Sequence, residues 1–176
     1  MKDYILLLPI IFIFHDMEEI IGFGRFFKKN PDLFERFPKT LAPYRDFSTA
    51  GFALAVYEEF IPFFGVSLLA YYFPNEILYG LWFGIFLSLA AHLLVHIDHA
   101  LYIRKYIPCL ATSVICLPIC AAIIYKCAKF MTFNAVTIVC ILAAFVLMIA
   151  NLKFAHFIMH KFNKKMKRNN NDKRNY

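Results

Sequence analysis

The sequence predicts an all-α protein, a polytopic transmembrane bundle of about five helices in one domain over residues 1–162, with a basic tail over 163–176. Three observations carry that prediction. Hydrophobic residues make up 61% of the 176 positions, against 45–50% in a soluble domain of ordinary composition. The excess falls into five runs, each long enough for the ~20 residues that a helix needs to cross the hydrocarbon of a bilayer. None of the runs alternates apolar with polar residues, as a membrane β-barrel strand does, and backbone groups in lipid are then satisfied only in helices.

The first run, Tyr4 to Phe23, holds His15, Asp16, Glu18 and Glu19 within five residues. A charge at the bilayer centre costs roughly 2.5–3.5 kcal/mol on insertion scales, so three acids in one span require partners, protons or a bound cation. On a helix, His15, Glu18 and Glu19 are spaced i, i+3, i+4 and share one face. Gly22 continues that face and admits the close approach of another backbone, whereas Asp16 points elsewhere. Lys2 alone, with acids and no small-residue cleavage site after the run, does not make a secretory signal peptide. The loop Arg25 to Asp46 sets Pro31, Pro38 and Pro43 among Phe26, Phe27, Leu33, Phe34 and Phe37. It is expected to lie at the interface as a cover, with its bases near headgroups.

The second run, Ser48 to Phe73, contains the adjacent acids Glu58 and Glu59, which point about 100° apart on a helix. Pro62 lies four residues after Glu58 and frees its carbonyl. The third run, Ile77 to Ile103, contains His92, His96 and His99 at i, i+4, i+7, one stripe that Ser88 extends. The fourth, Pro108 to Tyr125, and the fifth, Met131 to Leu152, are nearly free of charge. The fifth is expected to continue as helix to Phe162, with His156 and His160 near its end, and the chain from Lys164 to Tyr176 is expected to be disordered. The five cysteines form no C-x-x-C pair and read as small packing residues.

Lys and Arg set the orientation. The first and third loops and the segment from Lys153 onward hold sixteen of the nineteen, which by the positive-inside rule places the N-terminus outside and the C-terminus in the cytoplasm of a multi-pass cell-membrane protein. The expected partners are the lipid bilayer and, for the basic tail, anionic lipid headgroups. No other feature points to nucleic acid, and that role is set aside.

This topology brings the polar residues to one depth, the cytoplasmic half of the bundle. The candidate metal ligands are His15, Glu18, Glu19, Glu58, His92, His96 and His99, and the candidate catalytic carboxylates are Glu19 and Glu59. Two imidazoles at i, i+4 present two nitrogens to one ion, and Glu and His on several helices of a bundle build carboxylate-rich metal sites. The expected cofactor is a divalent metal, zinc or iron, and the expected function that of a metal-dependent membrane enzyme acting on a lipid or other apolar substrate. Two other classes stay open: a proton or metal-ion transporter, since His and Glu chains also relay protons, and a membrane scaffold without catalysis. The enzyme reading requires His15 or Glu19 within ~6 Å of a carboxylate or imidazole of the second or third helix, the range over which charges couple.

The His15-x-x-Glu18-Glu19 pattern resembles the HXXEE family of small integral membrane proteins, which is defined by this motif near the N-terminus and has no established activity. The resemblance runs from about Tyr4 to Pro118. It takes in a second block, Tyr106-x-Pro108-Cys109-x-x-Thr112, similar to an aromatic-x-Pro-Gly-x-x-Thr pattern with Cys109 in place of Gly. It also takes in His92 and His96, similar to an N-x-x-x-H helix with His92 in place of Asn. The resemblance implies a family and no reaction.

Overall fold

The computed structural model describes residues 1–172 and is helical throughout, without a strand among them. A short α1 (Lys2–Ile5) leads into α2 (Leu7–Lys29). The following loop holds α3 (Leu33–Arg36) and a 3-10 turn (Ala42–Tyr44). Four long helices complete the chain: α4 (Thr49–Tyr72), α5 (Glu76–Ile103), α6 (Leu110–Ala128) and α7 (Ala135–Asp172). These four are long and apolar enough to cross a membrane. The 23-residue α2 matches them in length but carries the three acids.

Local chemistry sets the boundaries. Ser48 caps α4 by accepting the Gly51 N–H at 3.0 Å, and Asn75 caps α5 by accepting the Leu78 N–H at 2.9 Å; both fill donors that a helix start leaves open. Arg104 ends α5 in the left-handed region at φ 56°, a conformation that costs most non-glycine residues energy. Pro108 then keeps Ile107 out of the helical region, so α6 begins only at Leu110. Pro62 and Pro118 lie inside α4 and α6.

All five long helices run between the same two ends of the bundle. At one end, the buried Trp82 donates from Nε1 to the Ile5 carbonyl at 3.0 Å. There the Thr137 hydroxyl donates to Glu76 at 3.0 Å, and Lys126 lies over the Tyr4 ring. At the other end, Lys105 donates to the Asn30 side chain at 2.7 Å, and Asn163 donates to the Asp46 carbonyl at 2.6 Å. The most extensive packing is between α5 and α7. A Cβ on Gly84 would stand 2.6 Å from the Ile141 carbonyl oxygen, and one on Gly80 2.8 Å from Cys140 Cβ. Glycines four apart thus let two apolar helices meet without side chains between them.

The proline-rich first loop packs inward. Leu33 and Leu41 are buried, and Tyr44 and Phe47 join Phe23, Phe27 and Phe52 in one aromatic cluster. All five thiols are free, four of them buried. The expected disorder from Lys164 gives way to helix, for α7 continues to Asp172. Asn163 and Lys167 hold it there, the latter donating to the Asp46 carboxylate at 2.6 Å. Its bond from Lys167 keeps that carboxyl below the usual carboxylate range. Residues 173–176 of the expected tail lie outside the described residues.

Candidate metal centre

His15 and Glu19 are one helical turn apart on α2, and His92 and His96 one turn apart on α5. Each pair therefore presents its side chains on one face. The two faces oppose each other, and one ligand atom from each of the four residues lies within 4.8 Å of the others. Glu19 Oε1 is 3.0 Å from His96 Nε2 and 3.8 Å from His15 Nε2, and His92 Nε2 is 2.7 Å from His96 Nε2. The contact that the sequence required between the first and third long helices is thus made. His15, Glu19 and His96 are buried and His92 half-buried.

The proton positions at His15 follow from its neighbours. Glu18 accepts from the Thr112 backbone N–H at 2.8 Å, from the Thr112 hydroxyl at 2.6 Å and from the Tyr106 hydroxyl. Because the carboxylate only accepts, the Thr112 hydroxyl spends its proton on Glu18. Thr112 Oγ1 lies 2.8 Å from His15 Nδ1, so it accepts from His15 Nδ1–H. Neutral His15 then carries a lone pair on Nε2, aimed into the group of four. That nitrogen and Glu19 Oε1 are buried and have no hydrogen-bond partner among the described residues. Buried polar atoms are rarely left so.

A metal ion fits these residues. Three imidazole nitrogens and one carboxylate oxygen form a zinc-type donor set, and tetrahedral ligands at ~2.0–2.1 Å from an ion stand roughly 3.3 Å apart. The separations of 2.7, 3.0 and 3.8 Å bracket that value.

The other sequence candidates lie outside the group of four. Glu18 turns to α6 instead. Cys109 gives that helix no side-chain cap, and Glu18 reaches across to bond the Thr112 N–H in its first turn, where a negative charge is favoured by the helix dipole. Glu58 is half-buried, with Oε2 unpartnered. Glu59, some 100° further round α4, lines an apolar cavity together with His92. His99 lines a second, smaller cavity with His96, His156 and Tyr44. Asp16, read from helical spacing as pointing away, is buried as well.

Thr112 and Tyr106 were visible in the sequence as members of a motif but carried no role there. The role is supplied by the turn at Pro108, which packs on Gly22 so closely that a Cβ there would stand 2.2 Å from Pro108 Cβ. The missing side chain at Gly22 lets the turn bring Tyr106 and Thr112 against α2. The bond from Tyr106 to Glu18 raises the tyrosine pKa to about 12, so the phenol keeps its proton and remains a donor.

No curated protein and no solved structure matches the chain. A family model described as a protein of unknown function with HXXEE motif matches residues 6–123, a stretch that holds His15, Glu19, His92, His96 and the Thr112 turn, and the chain belongs to that family.

Proposed function

We propose that this chain is a multi-pass membrane protein that holds one divalent metal ion, zinc or iron, at His15, Glu19, His92 and His96, and acts as an enzyme on a lipid or other apolar substrate. The single observation that carries this reading is the convergence of two unpartnered, buried acceptors, His15 Nε2 and Glu19 Oε1, with two further imidazoles. Lone pairs facing one another in an apolar interior repel; a cation between them turns that cost into binding.

A bound metal would supply Lewis acidity to polarise a carbonyl or a water. The protein's own part is positional. Thr112 and Glu18 hold the His15 ring with Nε2 inward. The buried faces of α2 and α5 keep bulk water from the ligands. Glu59, beside His92 on the cavity wall, is placed to take a proton from a group bound there, the role of general base.

The same reading puts the chain in the cell membrane with its N-terminus outside. Support comes from the contacts of the first loop with the third (Lys105 to Asn30) and with α7 (Asn163 to Asp46), which gather the Lys-rich segments at one end. Lys161, Lys164, Lys165 and Arg168 lie at that end of α7, where anionic headgroups would meet them.

Metal analysis of the purified protein tests the centre. The expected result is about one zinc or iron per chain, lost in His96→Ala and Glu19→Gln and retained in Glu58→Gln and His99→Ala. Wild-type protein free of metal after purification and after incubation with zinc or ferrous iron would remove the proposal.

A further inference from the structure

The half-open cavity beside His92 has a volume of about 270 Å³. Nine of its twelve lining residues are apolar, Phe12, Phe63, Phe145, Met148 and Ile149 among them, and its polar members are Glu59, Ser88 and His92. Ser88 already donates to the Gly84 carbonyl at 2.9 Å and His92 Nε2 is engaged with His96, which leaves the Glu59 carboxyl and the other ring nitrogen of His92 to meet a ligand. An apolar cavity of this kind stays dry or takes an apolar guest.

Its shape and its mouth narrow the guest. The α5 residues on the wall run from Ser88 to Val95, roughly 10 Å of helix. A slot of that length with apolar walls suits an extended polymethylene chain lying along α5. Phe145 and Ile149 line the cavity and are also exposed on the outer face of α7. The opening is thus continuous with the apolar belt of the bundle rather than with its polar ends. A guest entering there comes from the bilayer.

We infer that this cavity binds the acyl chain of a lipid, with the carbonyl end of the chain at His92 and Glu59. The chain site stands on the cavity; the meaning of its polar end rests on the metal reading above. The substrate class is then a long-chain acyl compound, with its one reactive carbon derivative held beside the candidate metal ligands and its tail between α4, α5 and α7.

Photolabelling of the full chain in phosphatidylcholine vesicles tests this, with palmitic acid carrying a diazirine near its methyl end as the probe. The expected result is saturable labelling near one per chain, in the peptide around Met148 and Ile149, reduced at least tenfold by excess palmitate and far less by hexadecane. Ala91→Phe, which fills the cavity from α5, is expected to reduce the labelling at least tenfold while the helical circular dichroism stays unchanged. Ile149→Trp, at the mouth, is expected to do the same and serves if the first variant does not fold. Unsaturable labelling spread along the exposed face of α7, unchanged in both variants, marks ordinary surrounding lipid and overturns the chain site. Equal competition by hexadecane overturns the acyl assignment. Saturable labelling in protein that never takes up metal leaves the chain site standing and removes only the metal reading.

Discussion

Thr112→Val replaces a hydroxyl with a methyl of similar volume and cuts the link between Glu18 and His15. The hydroxyl's close contacts go, at 2.8 Å to His15 Nδ1 and at 2.6 Å to Glu18, together with a longer one of 3.3 Å to the Cys109 carbonyl. Glu18 keeps the Thr112 backbone N–H and the Tyr106 hydroxyl, so the α6 turn retains its cap. His15 loses its only side-chain hydrogen-bond partner among the described residues. A buried N–H left without an acceptor costs about 1–3 kcal/mol. The ring escapes that cost by moving its proton to Nε2, and Nε2–H then points into the metal ligands and blocks coordination. Loss of such an outer partner of a metal-bound histidine weakens metal affinity by about 10–100-fold, which converts to roughly 1.4–2.8 kcal/mol.

Competition between the protein and a chelator for zinc measures that loss. Nitrogen-15 chemical shifts of His15 in the metal-free protein report which ring nitrogen carries the proton. Thr112→Ser keeps the hydroxyl and is expected to stay within about twofold of wild type in both readouts. A Val variant that binds zinc as wild type does, or a Ser variant as weak as Val, would refute the claim that the hydroxyl sets the tautomer.

Three further outcomes are expected. Gly22→Val drives a side chain into Pro108; overpacking of this kind costs about 1–3 kcal/mol, read as a lowered unfolding temperature in detergent, with zinc affinity falling as the Thr112 turn is displaced. At neutral pH Asp46→Asn loses the ion pair to Lys167, worth about 0.2–1 kcal/mol for an exposed pair. The Asp46 pKa is depressed in the folded protein, so its contribution is present above the ordinary carboxylate range and lost as the pH falls through the lowered value; the stability difference between wild type and Asp46→Asn should vanish in acid. A reporter fused after Tyr176 that is active only outside the cytoplasm should remain inactive, and activity there would reverse the orientation.

Much of the fold was legible because bilayer chemistry leaves so few solutions. The apolar runs had the lengths of spans, and the helices α4 to α7 follow them closely. Contacts between helices were less legible. Gly80 and Gly84 look like ordinary members of an apolar run until α7 is seen lying on them. The end of α7 escaped a compositional reading for a related reason. Its Lys- and Asn-rich sequence has the composition of a solvated tail, and its order depends on bonds from Asn163 and Lys167 to Asp46, more than a hundred residues away.

The motif that gives the family its description shows how far spacing reaches within a site. Positions i, i+3 and i+4 share a face of a helix, so His15, Glu18 and Glu19 looked equivalent as ligands. A helical face is broad, however, and i+3 and i+4 stand about 100° apart on it. Where two different elements flank that face, the two positions are divided between them. In this bundle α5 takes His15 and Glu19, through His92 and His96, and the start of α6 takes Glu18, through Thr112. Spacing alone could not make this division, because it depends on Gly22 and Pro108 bringing the turn before α6 against α2. The two glutamates consequently do opposite work. Glu19 leaves an oxygen without a partner, as a ligand must, and Glu18 has its oxygens occupied by three donors. Through Thr112 the occupied carboxylate fixes the imidazole that faces the free one. On that account Glu18→Gln, which preserves size and one acceptor oxygen, should weaken zinc binding less than Glu19→Gln does, by a factor nearer ten than a hundred. Equal and complete loss of metal in the two variants would mean that both glutamates are ligands and that the face is undivided.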